Sequence, residues 1–394
     1  MAEIALAYER SETDELGIRL TASEMGVELG YIPFHKVAVT MSESGVQLRN
    51  ASRNLVDDLQ RVGVILNRTQ SKNRRIYGAS VFEALDKHVL NTFPIELACQ
   101  SKVRTLLRFS KKGIKIPKTV FVPCNPVEST AGRGDLDYSR DIASLIFMEL
   151  GSDSIVVKPD AGTHGSEVKL VSGPEGIREA VKEIRPSTIN PVGALAQELV
   201  PKWFYDLRII VEKKRGSSPF CHPTALARGG FMEFRTNTFL GNMVFRARLP
   251  QIVRDAAILC GEAIGNEADS WVLALDAMPW IGEANHIDEG AVQAGFEALK
   301  TPFSKVLRAK NDPSKKADFA RYSRGVEEAY AGYMSTEPYA HIENTINESL
   351  EKTRNEVRFH ECNACPEFWE QTRIVGGINV AESLLKCAGS LLDR

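Results

Sequence analysis

Arg358-Phe359-His360-Glu361-Cys362-Asn363-Ala364-Cys365-Pro366-Glu367-Phe368, near the C-terminus, reads as a strand running into a loop that Pro366 marks. Side chains alternate faces along a strand, so Glu361 and Asn363 point one way and Cys362 the other. A carboxylate and an amide oxygen two residues apart on one face form half of a hard-cation site of the kind Mg2+ uses. The same residues also describe an ordinary strand end with a polar rim, and the rest of the chain has to discriminate.

The chain has 394 residues, 43% hydrophobic and 25% charged, an average globular composition. At roughly 100–200 residues per domain this length suggests two or three domains. A net charge of −2 gives no global attraction to nucleic acid or to an anionic membrane, so neither partner is expected. Glu3 and Glu9 occupy the place where a signal peptide would carry positive charge and then an apolar run. No segment approaches the ~18 apolar residues of a membrane span, and a cytoplasmic location is expected. Seven scattered cysteines do not make a disulfide framework and suit a reducing compartment.

Upstream, the pattern alternates between strand and helix, which indicates an α/β sheet. Strands are expected at 4–10, 31–40, 63–68 and 89–92, with helices at 11–25, 54–62 and 81–88. An amphipathic helix over Ser101–Lys112 is stopped by Gly113 and followed by Pro117, where a new unit begins. The basic cluster (Arg104, Arg108, Lys111, Lys112, Lys115, Lys118) reads as a solvated helix face, because no aromatic interleaving accompanies it and acidic charge balances it overall. Residues 118–200 form a small α/β unit in which the apolar strand Ile155–Lys158 ends in a lysine. The loop Asp160-Ala-Gly-Thr-His-Gly-Ser166 follows, then another strand. A Walker loop has the opposite order, glycines before lysine and then a helix. From 201 strands dominate, until 279–357 changes to three Lys/Glu/Ala-rich helical patterns at about 289–308, 316–334 and 338–355. The Gly376-Gly-Ile-Asn-Val-Ala-Glu-Ser-Leu-Leu-Lys386 segment is a Gly-preceded amphipathic helix.

In order along the chain, these segments resemble the ATP-grasp superfamily, and within it the RimK-like carboxylate–amine (glutamate) ligases. The resemblance rests on Val64-Ile-Leu-Asn-Arg-Thr69, Ser101-Lys102 with Gly113-Ile-Lys-Ile-Pro117, and Val157-Lys158-Pro with Gly162-Thr-His-Gly165. It continues through Gln197-Glu198, Asp206-Leu-Arg208 and Phe234-Arg-Thr-Asn237 with Gly241. It ends on Glu361-Cys-Asn363, Pro366, Phe368 and Gly377-Ile-Asn-Val-Ala-Glu382. The implied fold class is α/β with α+β lobes. An N-terminal parallel-sheet pre-grasp domain would span 1–116 and the small ATP-grasp lobe 117–199. The large lobe would span 200–394, with a helical insertion at 279–357.

The resemblance implies an ATP-dependent ligase that phosphorylates a carboxylate to an acyl phosphate, which an amine then attacks to give an amide, ADP and phosphate. Such phosphoryl transfer needs positioning and charge neutralisation more than covalent help. Carried over by position, Lys102 and Lys158 would contact the nucleotide phosphates, and the loop Gly162, Thr163, His164 and Gly165 would close over them. Gln197, Glu198 and the Leu199 backbone would line the adenine hinge, and Asp206 the ribose side. Arg235 and Asn237, with Lys158, would be the catalytic groups at the transferring phosphoryl, Arg235 stabilising developing charge. Asp276, Glu361 and Asn363 would hold Mg2+, for which Mn2+ could substitute. The expected partners are an amino acid and a carboxylate acceptor, either a metabolite, a carrier protein or a peptide, and the chain is expected to form a homo-oligomer.

Each residue has a plainer reading as a solvated strand end, and Asp269 competes with Asp276. A second Glu-x-Asn, Glu283/Asn285, lies nearer Asp276, but only Glu361/Asn363 is followed by the Pro–Phe and Gly-Ile-Asn-Val-Ala-Glu elements. The 279–357 block then reads as an insertion in a hairpin, and loop-closure entropy grows only logarithmically with its length. Glu367 stands where the family has glycine. His360, Cys362 and Cys365 suggest zinc, but no second pair of ligands has suitable spacing. The functional rivals are a kinase or thioester-forming ligase on the same fold, and a nucleotide-binding regulator without chemistry.

Overall fold

The computed structural model describes residues 2–50, 55, 59–123, 138–162, 167–184, 194–230, 235, 241–265, 267–281, 288–353 and 356–392. The first sheet is wholly parallel: β1 (Ile4–Tyr8), β2 (Leu29–Pro33), β5 (Val64–Asn67) and β6 (His88–Leu90) lie in the order β2-β1-β5-β6. Its central strands are continuous apolar runs because alternate residues enter two different cores. Ile4, Leu6, Val64 and Leu66 face one, and Ala5, Ala7 and Ile65 the other.

Three local expectations differ here. The strand expected over 31–40 ends at Pro33; a turn of 3-10 helix follows at Phe34–Lys36, and β3 (Ala38–Ser42) pairs with β4 (Gly45–Arg49) as a separate hairpin. The helix expected at 81–88 lies instead at Lys72–Glu83, begun by Ser71, whose hydroxyl accepts from the Arg74 N–H. An unexpected short helix forms at Phe93–Gln100, with Pro94 in its first turn. The helix expected over 54–62 falls partly outside the described residues, which there are 55 and 59–62.

The second sheet is antiparallel, with β7 (Thr119–Phe121), β8 (Ser154–Pro159), β9 (Lys169–Ser172) and β10 (Ala194–Glu198) in the order β7-β10-β8-β9. Helices Tyr138–Leu150 and Gly173–Glu183 back it through Ile146, Leu150, Ile177 and Val181. The third sheet is also antiparallel, in the order β14-β13-β11-β15-β16. Its strands are β11 (Tyr205–Lys213), β13 (Thr224–Gly229), β14 (Met243–Arg248), β15 (Trp271–Pro279) and β16 (Val357–Asn363), with short β12 (Phe220–Cys221) paired to β11. This mixture of a parallel sheet and antiparallel sheets is the fold class expected.

The two faces of the third sheet decide where chemistry can occur. One face, with Leu207, Ile209, Val211, Leu273, Leu275 and Phe359, enters the main core. Helices Glu289–Lys310, Phe319–Met334 and Glu337–Thr353 fill the β15–β16 connection and close over that same core. There Phe245 stacks on Tyr339 at 5.3 Å and meets Phe296 edge-on at 5.5 Å. The opposite face is apolar only where the helix Val380–Leu392 covers it, at Ile210, Val272 and Ala274. The next positions on that face, Arg208 and Asp276, lie past the covering helix and are ionic. Among the described residues no helix is long and apolar enough to cross a membrane.

Candidate active site

The ionic end of the third sheet is a row of charges set by strand register. Asp206 lies opposite Arg228, Arg208 opposite Asp276, and Asp276 opposite Glu361. Arg228 grips both oxygens of Asp206, at 2.7 and 2.9 Å, and reaches Asp276 at 3.3 Å. Arg208 forms a second fork with Asp276, 3.0 Å to each oxygen. Burial alone would raise the Asp276 carboxyl, but the two guanidiniums hold it well below the usual carboxylate range. Asp269 sits at the other end of β15, on the surface, forked by Arg215.

Glu361 carries a looser load. Burial raises its carboxyl, Lys102 and Lys72 lower it more, and the net shift is downward. The ion pair it makes among the described residues is with the Lys72 ammonium at 3.8 Å, from the first turn of the helix after β5. Phe359 and Cys362 both enter the core, so two residues rather than one separate them. The ladder accommodates the extra residue as a β-bulge at Asp276/Ala277, which brings His360 and Glu361 together opposite Asp276. Burial first, and Lys158 second, push the His360 imidazole down to about 4. Glu361 and Asn363 do share a face, with Cys362 turned to the core.

Two lysines face this row, Lys158 from the second sheet and Lys102 from a helix N-terminus. Lys158, near the end of β8, is buried, and desolvation followed by Lys102 lowers its ammonium to about 7. Lys102 opens the helix Lys102–Lys111 and is lowered by burial in turn. Asp160, two residues after Lys158, fixes the start of that helix. Its Oδ1 accepts from the Ser101 hydroxyl (2.9 Å) and the Val103 N–H (2.7 Å), and its carbonyl accepts from the Lys102 N–H (3.2 Å) and Nζ (3.3 Å). A carboxylate at a helix N-terminus is stabilised by the exposed amides there.

At the end of β10, buried Gln197 donates to the Thr119 hydroxyl (2.8 Å) and Glu198 accepts from the Lys118 N–H (2.8 Å). The Leu199 N–H reaches the Ser154 carbonyl at 3.4 Å. Just beyond, Lys202 is buried beside Asp206 and Arg228, and desolvation lowers it to about 8. The Arg235 carbonyl accepts from Asn242 at 3.0 Å. Thr163, His164, Gly165, Asn237, Glu283 and Asn285 lie outside the described residues, while Gly162 is at their edge.

The loop after β16 holds despite Glu367. Asp14 Oδ1 accepts from the Phe368 and Trp369 N–H groups at 3.1 and 2.9 Å, and Arg68 donates to the Pro366 carbonyl at 3.1 Å. Cys362 lies 3.6 Å from Cys99 in the core, whereas Cys365 faces Arg68 and Arg75. Among the described residues no three His, Cys, Asp or Glu side chains gather as a metal cage. Two carboxylates and an amide suit a cation that takes one or two protein carboxylates and completes its shell with phosphate and water, as Mg2+ does.

Lys72, Asp160 and Arg228 are the residues that sequence reasoning gave no role, and His360 was weighed only as a zinc ligand. The partners of Arg228 emerge only from the β11–β13–β15 register.

No protein-family model matches the chain. It is similar to the alpha-aminoadipate–LysW ligase LysX of Sulfurisphaera tokodaii, 25% identical over 217 residues, covering 55% of this chain and 67% of that one. It is similar also to LysX of Sulfolobus acidocaldarius, 26% identical over 205 residues, covering 51% and 66%. The match thus spans about two thirds of each relative's length. Among solved structures, the VanG D-Ala:D-Ser ligase of Enterococcus faecalis superposes with a TM-score of 0.56 at 12% identity, covering 99% of both chains. The ATP-grasp ligase PsnB, complexed with a minimal precursor, gives 0.52 at 10% identity, covering 100% of this chain and 98% of that one. At such identities the superpositions establish the fold.

Proposed function

We infer that this RimK-like chain of ATP-grasp fold is an ATP-dependent carboxylate–amine ligase, and that the charge row over β13, β11, β15 and β16, with Lys102 and Lys158 above it, is its active site. The observation that carries the assignment of the site is the convergence of Lys158 from the second sheet, Lys102 from a helix N-terminus, and Asp276 and Glu361 from the third sheet. A polyanionic nucleotide between the sheets would restore the charge that burial takes from Lys158.

Lys102 and Lys158 bind and orient the phosphates, while Gln197, Glu198 and the Leu199 backbone border the base. Arg228 holds Asp206, whose carboxylate lines the ribose side through its remaining lone pairs. Asp276, Glu361 and Asn363 would hold Mg2+, which supplies charge neutralisation across the phosphates when bound. The substrate carboxylate oxygen attacks the terminal phosphorus, ADP leaves, and an acyl phosphate forms. The amine then attacks the acyl carbon, phosphate leaves with the former carboxylate oxygen, and an amide remains. Arg235, with Asn237, would stabilise the charge that develops at the transferring phosphoryl.

The amine partner is proposed to be an amino acid, in keeping with the alpha-aminoadipate in the name of LysX, joined to a carboxylate of a metabolite, carrier protein or peptide. Mn2+ replacing Mg2+, a homo-oligomeric assembly and a cytoplasmic location complete the proposal. Glu361→Gln is expected to reduce ATP turnover by more than a hundredfold, while Glu283→Gln spares it. The reverse result, read as ADP release, would move the metal site to Glu283 and Asn285.

A further inference from the structure

The helix Lys102–Lys111 begins at the charge row, and its last turn opens on a separate cavity of about 630 Å3. A recess of that size holds a metabolite-sized ligand. One wall is apolar, built by Pro94 and Ile95 at the start of the helix Phe93–Gln100 and by Ala263 and Ile264 at the end of the helix Gln251–Gly265. Ile95, Ala263 and Ile264 also belong to the main core, so packing fixes this wall. Another wall is cationic: Arg108, Lys111 and Lys112 line it, spaced so that one helix face presents all of them. Like charges at this spacing repel one another. None of the three makes an ion pair among the described residues, whereas Arg104 and Lys115 of the same basic cluster are engaged by Gln100 and Glu356. Two carboxylates line the cavity as well. Glu83 accepts from the Phe93 N–H (2.8 Å) and so caps that helix, which leaves the exposed Glu267 against three cations. The helix dipole favours cations in a last turn, which accounts for their sign but not for the apolar recess they border.

We propose that this cavity is a second ligand site, separate from the nucleotide cleft, for a small organic anion with an apolar body, and that its occupant is an effector of the cleft. Charge complementarity selects the anionic head, a carboxylate or a phosphate, and the wall of Pro94 and Ile264 selects the apolar body. The cationic segment reaches the cleft by two physical routes. Its helix carries Lys102 in the first turn, about 15 Å away along a rigid element. Just beyond Lys112, the Lys115 carbonyl accepts from the Phe359 N–H (2.9 Å) of the strand that bears Glu361. The inference goes beyond the ligase reading, and the existence of the site does not depend on that reading.

The test is fluorescence titration of 8-anilinonaphthalene-1-sulfonate, an anion with an apolar body, into the wild-type chain with and without saturating ADP and Mg2+. The expected result is a single bound probe under both conditions, displaced by octanoate or octyl phosphate but not by octylammonium. The more effective of the two displacers identifies the preferred head. Arg108→Gln/Lys112→Gln should raise the Kd of the probe roughly tenfold through the loss of charge-assisted contacts. Lys300→Gln/Lys305→Gln, the same change of charge on the inserted helices, should leave it unaltered. Neither pair enters the core, so both variants should melt near wild type. Saturating octanoate should in turn shift the Kd of ADP, read by calorimetry, by roughly fivefold or more. Equal effects of the two double variants, displacement by octylammonium, or loss of the probe on adding ADP overturns the site. An ADP Kd that octanoate leaves unchanged overturns the effector role. A wild-type chain that binds no ADP instead defeats the ligase reading, and the response of the probe to the two variants still decides the site.

Discussion

Asp276 and Glu361 face each other across one register position, yet they do different work in the free protein. Asp276 is almost wholly buried and forked by Arg208, with Arg228 shared between it and Asp206. Removing one partner of a buried ion pair leaves the others uncompensated and costs roughly 3–5 kcal/mol. Asp276→Asn should therefore lower the melting temperature as well as activity. Glu361→Gln should melt near wild type, since the Glu361 side chain keeps 21% exposure and its lysine lies at 3.8 Å. Differential scanning of the two variants separates these roles, and equal destabilisation would contradict them. Lys158 gives a second prediction at this scale. Its ammonium is lowered to about 7 by burial and then by Lys102, so above that pH the free site is largely neutral there. Bound phosphates favour the charged form, so ADP binding at pH 8 should take up close to one proton and at pH 6 almost none. Binding enthalpies measured in buffers of different ionisation heat read this uptake directly, and pH-independent uptake would remove Lys158 from the phosphate site.

At the scale of elements, the segment 366–374, a loop ending in the short helix Gln371–Ile374, joins three parts of the chain. Trp369 donates to Ser323 of the inserted helices at 3.2 Å and lies under Arg373 at 4.1 Å. Its ring also presses on Gly17 in the helix Thr13–Glu24, where a Cβ would sit 2.1 Å from a ring carbon. Alanine is favoured over glycine inside a helix by about 1 kcal/mol. The collision with a ring fixed on two other sides outweighs that gain, so Gly17→Ala should be destabilising by roughly 1–3 kcal/mol. A melting temperature equal to or above wild type would show that the contact is not tight. The sequence signals for elements were uneven for identifiable reasons. Glu361 and Asn363 were legible because alternation is a local rule. His360 was not, because a bulge depends on the partner strand's register. The Tyr31–Thr40 run looked continuous in β propensity, yet Pro33 ends it. The helix Lys72–Glu83 was missed because its charged first turn hides the weak apolar stripe, whereas the cap at Ser71 was its readable mark.

For the whole molecule, the helix Val380–Leu392 explains how an ordinary sheet acquires a reactive end. It lies between the parallel sheet and the third sheet, burying Leu384, Leu385 and Leu391 with Leu66 on one side and Val272 on the other. Where that cover stops, Arg208, Asp276 and Glu361 take over, and Lys72 arrives from the parallel-sheet side. The fold and the ligase class were legible as an ordered series of short motifs, from Lys102 through Lys158 and Asp206 to the Gly-Ile-Asn-Val-Ala-Glu ending. The ion-pair row was less so, since Arg228 meets Asp206 and Asp276 only through strand pairing. Ligation is the central claim, and it is tested most directly by incubating the chain with ATP, Mg2+ and paired panels of carboxylates and amino acids. Release of ADP and phosphate would be followed along with product mass. Release that requires both a carboxylate and an amine, with a product equal in mass to their sum less one water, is the predicted result. ADP release that ignores the amine and leaves a phosphorylated hydroxyl compound would contradict it.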